Sequence, residues 1–79
     1  MNVEIYSKNN CGYCDKAKIK LQKYNPRVHM LDQDYTREEF FTKFPHAKTF
    51  PQIIINSKHI GGYHELEKWF AFNFPNEDF

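Results

Sequence analysis

Cys11 and Cys14 are the only cysteines in this chain, with Gly12 and Tyr13 between them. A structural disulfide this close would shut a tiny loop and constrain the unfolded chain little, so the spacing points to redox exchange or metal binding. The setting narrows the choice. Val3-Glu4-Ile5-Tyr6 is alternating and β-prone, and reads as a strand. After the polar stretch Ser7-Lys8-Asn9-Asn10, Cys14, Ala17, Leu21 and Tyr24 recur at helical spacing with lysines between them. The cysteine pair therefore opens a helix that follows a strand. Unpaired N–H groups and the positive end of the dipole at such a terminus favour a thiolate, and cysteines so placed have pKa values of about 3.5–7.5 against about 8.5 for a free thiol. Lys8 adds positive charge nearby in sequence. Cys11 is the expected nucleophile. Cys14, one turn in on the apolar face, is the expected resolving thiol.

Two plainer uses of the pair fit less well. Free cysteines are often just small buried hydrophobes, but a CxxC at a strand–helix junction is the usual redox context. His59 and His64 have the spacing of the second half of a zinc finger, yet 44 residues separate Cys14 from His59, against roughly 12–15 in a finger. No metal site is expected.

Two further segments carry chemistry. Thr49-Phe50-Pro51 precedes the strand-like run Gln52-Ile53-Ile54-Ile55. Proline donates nothing to a sheet ladder, so its place is a strand start or an edge. The residues alone favour a trans Phe50–Pro51 bond, since only about 5–6% of such bonds are cis. A cis bond would turn Phe50 N–H and C=O outward for an extended peptide. Gly61-Gly62-Tyr63-His64 precedes a last helix marked by Leu66, Trp69 and Phe70. Free amides at a helix start after glycines suit a carboxylate, and a plain glycine-rich turn fits equally well.

These segments need a frame. Asn25-Pro26 ends the first helix, and Arg27–Leu31 reads as a second strand. Thr36 followed by Glu39 has the capping-box layout ahead of Phe40, Phe41 and Phe44, and Pro45 closes that helix. The continuous isoleucine run suits a strand buried on both faces. Asn56-Ser57 reads as a hairpin turn into Lys58-His59-Ile60, with serine where glycine would be more comfortable. The order is β-α-β-α-β-β-α. A right-handed parallel crossover at the start and an antiparallel hairpin later give an α/β fold, a four-stranded mixed sheet flanked by three helices.

At 79 residues the chain is one small domain, 1–79, with about 75–79 as a C-terminal tail. Its 18% aromatic content supplies core material, and 11 Lys and Arg against 10 Asp and Glu leave a formal net charge of +1. That balance argues against a nucleic-acid or membrane-surface protein. Met1-Asn2-Val3-Glu4-Ile5 lacks the basic-then-apolar layout of a signal peptide, and no run nears the roughly 20 apolar residues of a membrane span. The expected compartment is the cytoplasm.

Taken together, Val3-Glu4-Ile5-Tyr6, Lys8, Cys11–Cys14, Thr49-Phe50-Pro51-Gln52-Ile53 and His59-Ile60-Gly61-Gly62-Tyr63 resemble the glutaredoxins, the glutathione-dependent branch of the thioredoxin fold. The resemblance runs from Asn2 to about Phe70. It implies a thioredoxin-like fold and a thiol–disulfide oxidoreductase that reduces protein disulfides and glutathione mixed disulfides. Glutathione would be cosubstrate and partner, with no tightly bound cofactor and a monomeric chain. Cys11 would attack and Cys14 resolve. Lys8 and Arg37 would hold the glycine carboxylate of glutathione, and Thr49, Phe50 and a cis Pro51 would pair with its backbone. Gly62, Tyr63 and His64 would cradle the γ-glutamyl end, and Tyr13 would wall the site. The resemblance also admits two other roles, a dedicated donor to ribonucleotide reductase fed by thioredoxin reductase and a [2Fe–2S] carrier. The chain departs from the family pattern at three places. Gly12 replaces the usual motif proline, Phe50 the usual valine, and His64 stands where Asp, Thr or Ser usually caps the last helix.

Overall fold

The computed structural model describes residues 1–74, so the expected tail lies outside the described residues. Strands β1 (Val3–Ser7), β2 (Arg27–Met30), β3 (Gln52–Ile55) and β4 (Lys58–Gly61) alternate with helices α1 (Gly12–Leu21), α2 (Arg37–Lys43) and α3 (Tyr63–Asn73) in the order β-α-β-α-β-β-α. One mixed sheet results, ordered β2-β1-β3-β4. β1 runs parallel to β2 and antiparallel to β3, and β3 is antiparallel to β4. This is the thioredoxin-like arrangement.

The two central strands explain the core. Alternate residues Val3, Ile5 and Ser7 of β1 are buried, as a period of two demands of a strand with one face packed harder than the other. All four residues of β3 are buried, because that strand is covered on both faces. On one side, Ala17 and Leu21 of α1 and Leu66 and Phe70 of α3 pack on Val3, Ile5, Ile53 and Ile55. On the other, Phe40 of α2 and Phe44 just past its end meet Leu31, Tyr35 and Ile54. Phe41 falls on the solvent side of α2, 44% exposed, since a one-residue step rotates the side chain off the buried face.

Local chemistry sets the ends of the helices. Thr36 Oγ1 accepts from Glu39 N at 3.1 Å and Glu39 Oε1 accepts from Thr36 N at 2.8 Å, the reciprocal cap expected of this spacing. The first helix is α-helical only to Leu21. It tightens into a 3₁₀ turn over Gln22–Tyr24 and stops at Asn25, which is left-handed at φ 52°. Leu31, expected inside the second strand, lies just past it: its N–H donates to the Ser7 carbonyl at 3.0 Å, and it forms an isolated bridge to Tyr35. Buried Tyr35 donates its hydroxyl to the Ser7 carbonyl, tying the loop after β2 to the end of β1. Burial pushes that phenol up to about 12, so it remains a donor at any ordinary pH.

The β3–β4 turn puts Asn56 at φ 52° and Ser57 at φ 67°. Two positive φ values match the twist of a two-residue hairpin, but only glycine adopts them without steric cost. Ser57→Gly is expected to raise stability by about 0.5–1 kcal/mol, a Tm gain of roughly 2–8 °C, measured by thermal melting. A Tm equal to or below that of the parent chain would contradict this reading of the turn.

Candidate active site

Cys11 caps α1. Its backbone is extended (φ −130°, ψ 103°), its Sγ accepts the Cys14 N–H at 3.2 Å, and its carbonyl accepts the Asp15 N–H at 3.1 Å. Asn10 precedes it at φ 54°, turning the chain from β1 into the helix. A sulfur in the N-cap position takes the place of a Ser or Asp oxygen, so it faces the positive end of the helix. Cys14 is fully buried while Cys11 is partly open. The two are joined as a disulfide with Cα atoms 5.2 Å apart. A Cβ built on Gly12 would meet nothing within 4 Å, so packing does not require glycine there.

The second segment stands against the first. The Phe50 carbonyl oxygen lies 3.8 Å from Cys11 Sγ, and the Phe50–Pro51 bond is cis, as the family resemblance implied and the residues alone did not. The Phe50 ring stacks on Phe40 with centroids 4.4 Å apart, and Lys8 Nζ lies 5.3 Å from the Phe50 centroid. Phenylalanine in place of the family's usual valine thus extends the α2-side core to the edge of the site. Lys8 is brought to the same place.

The glycine pair forms the third wall. Gly61 ends β4 at φ 122°, a conformation that L side chains rarely adopt. A Cβ on Gly62 would stand 3.3 Å from Thr49 Oγ1 and 3.5 Å from the Pro51 carbonyl, so the glycine lets α3 approach the Thr49–Pro51 segment. Gly62 is the residue that caps α3, and its N–H donates to Glu65 Oε1 at 2.9 Å. His64 therefore does not cap, contrary to the sequence expectation; it sits inside the first turn. Its ring meets the edge of Tyr13 at 5.3 Å and its Nδ1 is 3.5 Å from Glu67. Tyr13, 47% exposed, stacks on Tyr63 at 5.5 Å. Tyr13, Tyr63 and His64 form one aromatic flank beside the cysteines.

Arg37 stands apart from these contacts. It opens α2 and lines a shallow hollow with Glu38, Phe41 and Thr42. Sequence reading overlooked three residues. Glu65 caps Gly62 at the same three-residue spacing as Thr36 and Glu39, a signal hidden because the capped residue is glycine. Gln52 and His59 were read as strand residues within the family motifs, and His59 also as half of a zinc spacing that does not fit, but neither was given a role at the site; their side chains bond to each other beside Thr49. Among the described residues no group of three or more His, Cys, Asp or Glu is arranged to hold a metal ion. No helix there is long and apolar enough to cross a membrane.

Gly61→Ala is expected to cost about 1–3 kcal/mol, because the methyl group would require a strained φ and would meet Glu65 Cγ at 2.9 Å. Gly62→Ala, at an ordinary φ of −88°, is expected to cost less. Urea unfolding of both variants checks the order, and Gly62→Ala proving the more damaging would refute it.

A family model described as Glutaredoxin matches residues 3–60. Glutaredoxin 3 of Escherichia coli K12 is 39% identical over 67 residues, covering 82% of this chain and 81% of that protein. Among solved structures, Glutaredoxin 1 from Francisella tularensis superposes with a TM-score of 0.74 at 32% identity, covering 96% of this chain and 98% of that one. A dithiolic glutaredoxin of Trypanosoma brucei brucei does so with a TM-score of 0.72 at 30% identity, covering 90% and 78%. A cysteine sulfur capping a helix beside an open peptide edge is built for thiol–disulfide exchange, and with these likenesses the chain belongs to the glutaredoxin family of thiol–disulfide oxidoreductases.

Proposed function

We propose that this chain is a glutathione-dependent dithiol reductase of protein disulfides and glutathione mixed disulfides. It would act in the cytoplasm as a monomer, with glutathione as cosubstrate and no tightly bound cofactor. The observation that carries the reading is the asymmetry of the pair: Cys11 Sγ is partly open at the helix cap and Cys14 is fully buried behind it.

That asymmetry supports the following steps. The Cys11 thiolate, favoured by the Cys14 N–H and the helix terminus, attacks one sulfur of a substrate disulfide and expels the other as a thiolate, which takes a proton from solvent. With a protein disulfide, the Cys14 thiolate then attacks Cys11 Sγ, releases the second substrate thiol and leaves the Cys11–Cys14 disulfide. Two glutathione thiols reduce it, forming glutathione disulfide and restoring both cysteines. With a glutathione mixed disulfide, the glutathionyl group remains on Cys11 and one further glutathione removes it, so Cys14 is not required.

The placement of the other residues supports glutathione as the reductant. Lys8, over the Phe50 ring, would meet the glycine carboxylate. Arg37, which opens α2 apart from the contacts around Cys11, is assigned to that carboxylate by the family resemblance alone. Thr49 and Phe50, ahead of Pro51, offer backbone to the extended tripeptide. The N–H groups that open α3 at Tyr63 and His64, after Gly62, lack intrahelical partners and suit the γ-glutamyl carboxylate. Tyr13, stacked on Tyr63, closes that end.

Cys11→Ser is expected to reduce every exchange activity by roughly two orders of magnitude or more, since a hydroxyl does not replace a thiolate at neutral pH. Cys14→Ser should keep glutathione mixed-disulfide reduction within a few-fold and lose protein-disulfide reduction. Both are read in coupled assays with glutathione and glutathione reductase, using hydroxyethyl–glutathione disulfide and a protein disulfide. Equal loss from the two changes on the small substrate would overturn the assignment of roles. No turnover of either substrate with glutathione would overturn the choice of reductant.

A further inference from the structure

Gln52 is the one polar residue in an otherwise isoleucine strand, and it is only 4% exposed. A buried amide is costly unless both of its ends are bonded. Here both are. Nε2 donates to the Thr49 carbonyl at 2.8 Å, and Oε1 lies 2.8 Å from His59 Nε2. A carbonyl only accepts, so the NH₂ end must face Thr49 and the oxygen must face His59. His59 Nε2 therefore carries the proton and donates. Partial burial lowers the His59 pKa, keeping a neutral ring with its proton on that nitrogen at neutral pH. The ring lies 4.6 Å from that of Phe44, which closes α2, so the clamp is braced from β4 and α2 together.

The anchored carbonyl belongs to the peptide unit that joins Thr49 to Phe50. That unit is trans and planar, so its C=O and N–H point in opposite directions. Holding the Thr49 oxygen on Gln52 turns the Phe50 N–H away from Gln52. The next carbonyl along, that of Phe50, stands 3.8 Å from Cys11 Sγ. Among the described residues no hydrogen bond to the Phe50 N–H is seen. We propose that Gln52, braced by His59, is a positioning residue that aims the Phe50 N–H at the peptide backbone of a thiol cosubstrate lying beside Cys11. The proposal rests on the glutathione reading above. It concerns recognition and leaves the reactivity of the sulfur to the helix cap.

Three variants of the full chain test this in steady-state reduction of hydroxyethyl–glutathione disulfide. Gln52→Leu removes both bonds, and ionised Gln52→Glu loses the donor to Thr49 while keeping an acceptor for His59. Each should raise KM about 5- to 20-fold with kcat within about twofold. His59→Leu leaves the Gln52–Thr49 bond and should raise KM only about two- to threefold. Alkylation of reduced Cys11 by iodoacetamide should stay within about twofold in all three, because the helix cap is untouched. Thermal melting identifies any variant that fails to fold. If Gln52→Leu does not fold, Gln52→Glu and His59→Leu decide. An unchanged KM in the folded Gln52 variants overturns the proposal, as does a KM rise matched by an equal fall in alkylation rate. If neither Gln52 variant folds, an unchanged KM in His59→Leu overturns it. A parent chain that reduces protein disulfides with another reductant but ignores glutathione would overturn the glutathione reading alone. The same KM series on a protein disulfide then decides for Gln52: a rise upholds the clamp and no rise ends it.

Discussion

The cap of α1 by the Cys11 sulfur is the contact on which the rest depends. It starts the helix with one hydrogen bond, and the Cys14 N–H that needs a partner is also a donor of the kind that favours a thiolate when the pair is reduced. The cost of that arrangement is local, a left-handed Asn10, and the packed helix behind it offsets this cost. Ala17 and Leu21 are fully buried against the β1 and β3 core, so the helix axis, and with it the direction of the cap, is set by hydrophobic contact well away from the sulfur. The motif glycine agrees with this division of labour. Gly12 loses the preorganisation that proline would bring to the first turn, yet the cap and the buried face still begin the helix there.

The peptide edge and the glycine pair at the site are brought to that sulfur from the other half of the chain. Phe50 reaches it because its ring is anchored on Phe40, in the core on the far side of the sheet from α1. The Thr49–Pro51 segment is bounded on its other side by Gly62, where any side chain would press on Thr49 Oγ1. Three glycine and proline positions therefore act together. Gly61 turns β4 toward α3, Gly62 admits the close approach, and Pro51 ends the open edge before β3 begins its ladder. The edge that faces Cys11 is thus backbone, held by side chains packed behind it. This explains how valine-to-phenylalanine replacement at position 50 is accommodated. The side chain belongs to the core, and the edge that faces Cys11 is peptide.

Much of this was legible in the residues. Periodicity and capping chemistry marked the order of elements, the Thr36–Glu39 cap, the doubly buried isoleucine strand and the hairpin at Asn56-Ser57, because each depends on neighbours a few residues apart. Cys11 as the first residue of the site followed from its place between a strand and a helix. What escaped was set by contacts across the fold. Tyr24 left the α-helix for a 3₁₀ turn, and Leu31 left the strand because β1, its ladder partner, ends at Ser7 and the chain turns there to the bridge with Tyr35. The cap of α3 was misplaced onto His64 because glycine at position 62 carries no side-chain signal, while Glu65 supplies the bond instead.

By itself the sequence determined the chemistry and the elements: a close cysteine pair at a helix start, apolar faces of period two and 3.6, and glycines and prolines at the turns. Local spacing suffices for these because helix caps, strand alternation and tight turns are short-range interactions. Only the tertiary structure decided what stands beside the sulfur. That Phe50 lies against Cys11 and Gln52 bonds back to Thr49 and across to His59 follows from strand order β2-β1-β3-β4, which places β3 next to β1 although α1, β2 and α2 intervene along the chain. No spacing along the chain encodes such a juxtaposition, because it results from burying both faces of β3 at once.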